Sequence, residues 1–236
     1  MTDSLAFVAG ATGYTGRAVV EQLVARHVRA VAHVRPDSPS RAQWTERWQQ
    51  QGAEVDATPW EPAALVETLT RLRPTLVFAL LGTTRARARR EGRGAVDAYE
   101  AIDYGMTMML RDAAEACGHR PRFVYLSMAA LPQASSNPYV NVRIRVERAL
   151  REGALPYTIA RPAIITGQGR DEPRLAEAIG ARVMDGALAF AGLFGAGRLR
   201  DRYRSITSVE LATGLVRVAM DPAQENRVVD GEALRG

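Results

Sequence analysis

Short apolar runs alternate along the chain with longer segments in which apolar residues recur every three to four positions. This alternation is typical of strand–helix–strand units, which build a parallel sheet with helices on both faces. The predicted strands are Leu5 to Ala9, Arg29 to Val34, Glu54 to Asp56, Leu76 to Leu80, Phe123 to Leu126, Thr158 to Arg161 and Arg227 to Val229. We therefore expect a doubly wound α/β fold.

Helices are expected between the strands. The clearest runs from Tyr14 to Arg26, where Ala18, Val19, Gln22 and Leu23 recur at helical spacing. A second helix is expected to follow Asp103. Its predicted apolar face, rich in methionine, suits the core or a subunit interface better than a binding site and so allows for a homodimer; the face consists of Met106, Met109, Leu110 and Ala113.

The length of 236 residues suits one such domain with a small C-terminal elaboration. We expect residues 1–236 to form a single domain, with substrate or lid segments at about 166–204. Within that stretch, Thr166 to Arg174 and the glycine-rich Gly186 to Gly197 are the loops expected to close over a ligand.

The net charge of +5 would fit a nucleic-acid partner, but all 31 basic residues are arginines. The absence of lysine indicates a codon preference, so we expect no nucleic-acid partner. A single cysteine, Cys117, excludes an internal disulfide and fits the reducing cytosol. The apolar stretch Val183 to Gly197 contains Asp185 and is too short to span a bilayer. We expect a cytoplasmic protein without a membrane segment.

Three glycines, Gly10, Gly13 and Gly16, lie between the first strand and the first helix. Glycine permits a sharp turn after the strand, close approach of the backbone to a pyrophosphate, and tight packing of helix against strand. The helix N-terminus then directs N–H groups at the phosphates. This context predicts a Rossmann dinucleotide site that includes Thr12, Tyr14 and Thr15, and the alternative is a glycine-rich turn without a ligand.

The residue after the second strand indicates which dinucleotide is bound. An acidic residue at this place holds both ribose hydroxyls of NAD, whereas a cation accommodates the 2′-phosphate of NADP. This chain has Arg35, with Ser38, Ser40 and Arg41 close by. We therefore expect NADP(H), and the alternative is a solvated loop arginine.

Several segments carry a family resemblance: Gly10 to Gly16, Leu80 to Arg85, Ser135 to Asn137, Tyr139 to Glu147, Arg161 to Pro162 and Ile206 to Ala212. In these segments the chain resembles the atypical short-chain dehydrogenase/reductases, most closely their Tat-interacting-protein-like branch, which is near the NmrA-like regulators. The resemblance implies that one loop lines the cofactor near its ribose and nicotinamide, and that a second loop lies beside the nicotinamide amide. The first comprises Leu81, Gly82, Thr83 and Thr84, and the second Arg161, Pro162 and Ala163; both could instead be ordinary loops.

The resemblance also implies catalytic residues. Relatives that reduce carbonyls use a Tyr-x-x-x-Lys pair on one helical face, with a serine nearby. The tyrosine exchanges a proton with the substrate oxygen, and the lysine holds the ribose hydroxyls of the cofactor. The matching residues here are Tyr139, Arg143 and Ser127, so the lysine is replaced by arginine and the serine comes from a segment with one serine where relatives often have two. The alternative for Tyr139 is a tyrosine that caps a surface helix after Pro138.

Two functions remain open at the level of the sequence. The first is an NADP(H)-dependent oxidoreductase that acts on a small, unidentified carbonyl or alcohol. The second is an NADP(H)-binding sensor or regulator with little or no catalysis. The altered lysine and serine favour this second function, whereas the retained Tyr139 favours the first. The run Arg85, Arg87, Arg89, Arg90 and Arg93 is either a flap that attracts anions or a solvated loop, and no motif for metal binding is found.

Overall fold

The computed structural model of the chain describes residues 4–83, 88–89, 92, 94–162, 165–166 and 206–235. Its strands are β1 Leu5–Ala9, β2 Arg29–His33, β3 Glu54–Asp56, β4 Leu76–Ala79, β5 Arg122–Leu126, β6 Tyr157–Arg161, β7 Ile165–Thr166, β8 Ile206–Thr207 and β9 Arg227–Asp230. Its helices are α1 Tyr14–Ala25, α2 Arg41–Gln50, α3 Pro62–Leu72, α4 Ala95–Ala98, α5 Thr107–Ala116, α6 Pro138–Glu152, α7 Ser208–Met220 and α8 Gly231–Arg235. The π-helical segment Tyr99–Met106 joins α4 to α5, and the 3₁₀ turn Pro222–Gln224 precedes β9.

Seven strands form one parallel sheet in the order β3-β2-β1-β4-β5-β6-β9, which confirms the predicted doubly wound fold. The chain moves outward from β1 to β3, returns to β4 beside β1, and then continues in the other direction. The change of direction between β1 and β4 is a topological switch point, where the crevice at the carboxyl ends of the strands binds ligands. Two short strands that the pattern did not predict, β7 and β8, pair with each other.

Alternate residues of the strands pack on opposite faces of the sheet. On β1, Ala6 and Val8 pack with residues of α1, α7 and α8, whereas Leu5, Phe7 and Ala9 pack with residues of α3, α5 and α6. Both faces are therefore covered, which explains why the strands read as continuous apolar runs.

Two predicted strands end one residue early. The second ends at His33 rather than Val34, and the fourth ends at Ala79 rather than Leu80. The next N–H in each case still bonds to a neighbouring strand, Val34 to the Asp56 carbonyl and Leu80 to the Ala9 carbonyl. The chain turns away there although its side chains remain apolar.

The helix expected after Asp103 begins earlier than predicted. Helical structure starts at Ala95, and Asp103 lies inside the π-helical segment rather than before the helix. Of the predicted apolar face, Leu110 and Ala113 are buried and Met109 packs against the same core, which confirms a core role for this part of the face.

Candidate functional site

Two of the three glycines in the first turn are required by the fold itself. Gly10 has a φ of +85°, and a Cβ placed there would lie 2.5 Å from the Leu80 carbonyl oxygen. A Cβ at Gly16 would lie 2.0 Å from the Gly10 carbonyl oxygen. The turn therefore closes on itself and against the end of β4, so that β1 and β4 meet at the switch point.

Gly13 differs from the other two glycines. Its φ of −77° suits any residue, and it is the N-cap of α1. A Cβ there would meet the Gly10 carbonyl oxygen at 3.2 Å, so only that contact is tight. The first turn of α1 contains no acidic residue, and the first N–H groups of a helix have no acceptor within it. This exposed cradle fits a phosphate, beside half-buried Thr12 and Tyr14 and buried Thr15.

Arg35 lies where the second strand leads into a turn. Its guanidinium is 3.7 Å from the Asp37 carboxylate, and the two side chains are 40% and 72% exposed. A long, exposed pair of this kind contributes little to stability, so Arg35 can turn to another anion. Within this turn the Ser38 N–H donates to the Arg35 carbonyl and the Arg41 N–H donates to the Ser38 carbonyl. These hydrogen bonds hold the three residues close together.

Arg143 is buried at the carboxyl end of the sheet and has several partners. Its Nη2 donates to Asp103 Oδ1 at 2.7 Å, and its Nη1 donates to the Tyr125 hydroxyl and the Leu126 carbonyl, each at 2.9 Å. A Cβ at Gly82 would lie 3.2 Å from Nη2, so the loop after β4 lies directly against the guanidinium.

Tyr139 lies next to Arg143. The guanidinium carbon is 5.1 Å from the centre of the Tyr139 ring, and the Tyr99 ring packs edge-on at 5.3 Å. Asn137 rather than Tyr139 caps α6, because its side-chain oxygen accepts the Tyr139 N–H. The Tyr139 hydroxyl has no hydrogen bond to a described residue, so it is available to a ligand.

The charges of this site are set by burial and by its neighbours. Burial alone lowers the pKa of Arg143, but Tyr125, Tyr139 and the Asp103 carboxylate together raise it well above its usual value. Burial raises the pKa of Tyr125 against the opposing effect of Arg143. Arg143 is therefore a permanent cation and Tyr125 a neutral phenol.

Ser127 is buried and makes a contact away from Tyr139. Its hydroxyl donates to Glu147 Oε1 at 2.6 Å. The Glu147 carboxylate also accepts from Arg161, at 2.9 and 2.7 Å, and from Arg151 at 2.8 Å. This cluster ties the end of β5 to the end of β6. It includes Arg161 of the second predicted loop, and the next residue of that loop, Pro162, is buried.

Two buried polar atoms in the site have no partner among the described residues: Thr83 Oγ1 and Arg143 Nε. Buried polar atoms are almost always paired, so their isolation fits a bound molecule that would supply hydroxyl groups. Of the predicted cofactor residues, Gly82 lies against Arg143, Thr83 is joined to it through Asp103, and Leu81 packs against the core. Thr84, Ala163, most of the two lid loops and most of the arginine run lie outside the described residues.

Sequence reasoning did not identify Asp103, Tyr125 or Glu147 as site residues. A signal was present for the two carboxylates, because each occupies a core position of an amphipathic helix. Asp103 shares its spacing with the buried Thr107, Leu110 and Ala114, and Glu147 lies between buried Val146 and Leu150. A carboxylate at such a position needs buried partners.

The described residues contain no group of three or more side chains suited to a metal ion. Among the helices of this part of the chain, none is long and apolar enough to cross a membrane.

Comparison with known proteins bears on the fold and on the family of the chain. No curated protein matches the sequence significantly. Among solved structures, a Bacillus halodurans protein described as an NAD-dependent epimerase/dehydratase has 16% identity and a TM-score of 0.66, with 98% of each chain covered. The leucoanthocyanidin reductase–NADPH complex from Vitis vinifera has 16% identity and a TM-score of 0.66, covering 95% of this chain and 67% of that one.

A structure from work on pinoresinol-lariciresinol and phenylcoumaran benzylic ether reductases has 16% identity and a TM-score of 0.65, covering 95% of this chain and 68% of that one. At such identities these likenesses show the fold alone. The NAD(P)H-binding family matches residues 10–187, which include the glycine turn, the loop after β4 and Tyr139. Because this match spans well over half of the sequence, the chain belongs to the NAD(P)H-binding family.

Proposed function

We propose that the chain is an NADP(H)-dependent oxidoreductase of the atypical short-chain type, of the Tat-interacting-protein-like branch, that acts on a small carbonyl or alcohol in the cytoplasm. The observation that carries the proposal is the pairing of Tyr139 with a permanent cation: the Arg143 guanidinium lies 5.1 Å from its ring centre, and its hydroxyl has no bond to a described residue. The arrangement suits a phenol that exchanges a proton with a substrate oxygen.

The neighbouring groups support this proposal. Contacts run without a break from the glycine turn to the phenol: Gly10 meets Leu80, Gly82 meets Arg143, and Arg143 meets Tyr139. A dinucleotide with its pyrophosphate on Gly13 and its nicotinamide half near Gly82 would follow this path. Solved structures of this fold include reductases in complex with NADPH, which is consistent with a redox role.

The roles of the residues follow from this arrangement. Gly13 and the first turn of α1 would hold the pyrophosphate, and Arg35 the 2′-phosphate. The bound nicotinamide supplies or accepts the hydride at the substrate carbon. Tyr139 gives its proton to the oxygen as a carbonyl becomes an alcohol, and Arg143 stabilises the resulting phenolate electrostatically. Arg143 itself moves no proton, because its pKa is too high.

The test is rapid-mixing measurement of NADPH oxidation at 340 nm across a panel of aldehydes and ketones. We expect at least one substrate to be reduced by the parent, and Tyr139→Phe to retain NADPH binding with a loss of about 10²-fold or more in turnover. Tyr104→Phe is the matched control, since that ring packs under Arg145 instead. Equal turnover in the parent and Tyr139→Phe would exclude Tyr139 as the proton donor.

A second function, an NADP(H)-responsive regulator without turnover, is favoured by the Ser127 contact. The Ser127 hydroxyl donates to buried Glu147, so no serine is offered to a substrate beside Tyr139 from this position. A regulator would bind NADPH tightly and reduce none of the aldehydes and ketones in the panel. Tyr139→Phe would then behave as the parent does. Reduction of any carbonyl that depends on Tyr139 would exclude this alternative.

A further inference from the structure

Asp103 joins two parts of the site that are far apart in sequence. Its carboxylate is fully buried and uses its two oxygens differently: Oδ1 accepts from Arg143 Nη2 at 2.7 Å, and Oδ2 accepts from the Thr83 N–H at 2.9 Å. One side chain thus connects the loop after β4 with helix α6.

Each of the two residues that Asp103 holds also has a buried polar atom without a partner. These atoms are Thr83 Oγ1 and Arg143 Nε. An N–H donor and a hydroxyl on two residues that one carboxylate joins suit a vicinal diol, because one diol oxygen accepts from Nε while the other exchanges a hydrogen bond with the threonine. The nicotinamide-side ribose of NADP(H) has such a diol, whereas the adenosine-side ribose has its 2′-oxygen phosphorylated.

The backbone around Asp103 suits this bridging position. Asp103 lies in the π-helical segment Tyr99–Met106, whose wider turn differs from the α-helix on both sides. Such segments are rare and occur often at functional sites. From the same segment, Tyr99 packs on the Tyr139 ring and Glu100 accepts two hydrogen bonds from Arg145 of α6. The π-helical segment thus contacts α6 through at least four of its side chains, since the Tyr104 ring also packs against Arg145.

We propose that Asp103 is a positioning residue that holds Thr83 and Arg143 in the orientation that receives the ribose diol on the nicotinamide side of the cofactor. The inference rests on the proposed NADP(H) site and concerns binding rather than turnover. In this role Asp103 acts through Thr83 and Arg143 rather than through a contact of its own with the cofactor.

The test compares NADPH with adenosine 2′,5′-bisphosphate, which keeps the phosphorylated adenosine half and lacks the nicotinamide ribose. Dissociation constants are measured by calorimetry for the parent, Asp103→Asn and Thr83→Val. We expect each variant to bind NADPH about tenfold or more weakly, as for the loss of one strong hydrogen bond. Binding of the bisphosphate should change by less than about twofold. If Asp103 served folding alone, the variants would change the dissociation constants of both ligands or of neither.

Thr83→Val keeps the proposal testable if Asp103→Asn fails to fold. Its hydroxyl has no partner in the described structure, so replacing it with a methyl group should leave the thermal midpoint unchanged or higher. Controls are Asp112→Asn, on the exposed side of α5, and Thr75→Val, just before the opposite end of β4. Both should bind the two ligands as the parent does.

The outcomes separate this inference from the proposed function. Weaker binding of NADPH alone, in a protein that reduces no carbonyl, would uphold the role of Asp103 and exclude the enzyme. The opposite result is a parent that reduces carbonyls, while Asp103→Asn and Thr83→Val weaken the binding of both ligands equally or of neither. That result would exclude the role of Asp103 and leave the enzymatic function standing. A parent that fails to bind NADPH would refute both.

Discussion

At the scale of single residues, Arg143 does more than replace a lysine. Its planar guanidinium bonds Asp103, Tyr125 and Leu126 at once while one face lies toward the Tyr139 ring. An ammonium group at the same place would be a compact point charge without this fork. Codon preference explains exposed arginines, but a buried arginine also needs partners arranged for it, and these are present here.

The buried pair of Arg143 and Asp103 gives a stability prediction. Arg143→Met should lower the free energy of unfolding by about 3–5 kcal/mol, because it removes the cation that contacts the buried Asp103 carboxylate at 2.7 Å. Asp103→Asn/Arg143→Met should recover at least half of that loss, since the asparagine is neutral and still accepts from the Thr83 N–H. Urea unfolding monitored by circular dichroism measures both. A loss below about 1 kcal/mol in the single variant would contradict the prediction.

Arg35 is the residue that decides between the two dinucleotides. We expect the parent to bind NADPH at least tenfold more tightly than NADH, a difference of about 1.4 kcal/mol or more. Arg35→Ala should remove most of this preference by weakening NADPH alone, because only NADPH has the 2′-phosphate. Arg29→Ala, at the other end of β2, is the control because its partner is the exposed Glu54. An unchanged ratio in Arg35→Ala would show that another cation selects the phosphate.

At the scale of elements, the glycine turn separates folding from binding. Gly13→Val should cost about 1 kcal/mol or less as an unfavourable N-cap, yet abolish NADPH binding because its side chain occupies the phosphate cradle. Gly16→Ala should instead destabilise the protein by about 1–3 kcal/mol or more, since its Cβ would meet the Gly10 carbonyl at 2.0 Å. Thermal unfolding with and without NADPH measures both effects, and a ligand-induced shift retained by Gly13→Val would mean that the phosphate lies elsewhere.

The elements that the sequence predicted best are those fixed by local pattern. The strands of the seven-stranded sheet and the helix after the glycine turn are placed to within one or two residues, because buried strands and amphipathic helices have distinct apolar periods. The π-helical segment was missed. Its wider turn depends on contacts with α6, such as that of Tyr99 with Tyr139, and leaves no period of its own in the sequence.

The candidate site was predictable where chemistry follows from motif spacing. Tyr139 and Arg143 lie one helical turn apart and contact each other, as spacing predicts. The direction of the Ser127 hydroxyl was not predictable, because it depends on Glu147, whose burial results from packing between helix and sheet. Asp103 was missed for the same reason: its partners come from a loop and a helix distant in sequence.

At the scale of the whole molecule, arginine replaces lysine throughout, and arginines are found in the protein interior as well as on its surface. Arg143 pairs with Asp103 in the crevice, and Arg161 with Glu147 between β6 and α6. Both acids are almost completely buried, so these pairs link separate elements of the fold. The count of 31 arginines is thus a poor guide to partners, since part of this basic content is matched within the fold.

The stability of the whole protein should depend on pH through His33. His33, at the end of β2, is buried beside Phe7 and Trp60, and its Nε2 lies 2.8 Å from the Thr58 carbonyl oxygen. Burial lowers the pKa of His33 below its usual 6.5, although the Thr58 carbonyl and Asp56 oppose this shift. At a pH between the folded and the unfolded pKa of His33, this residue is therefore protonated less often in the folded state than in the unfolded state.

Within that interval stability must rise with pH. The contribution of neutral His33 is complete above about pH 6.5 and is lost as the pH falls below that value toward the folded pKa, with a slope of at most about 1.4 kcal/mol per pH unit. Urea unfolding of the parent from pH 7.5 to pH 5 should show this decline. His33→Gln should flatten it, and His27→Gln, in the exposed turn after α1, should leave it unchanged. A decline equally steep in His33→Gln would place the titrating group elsewhere.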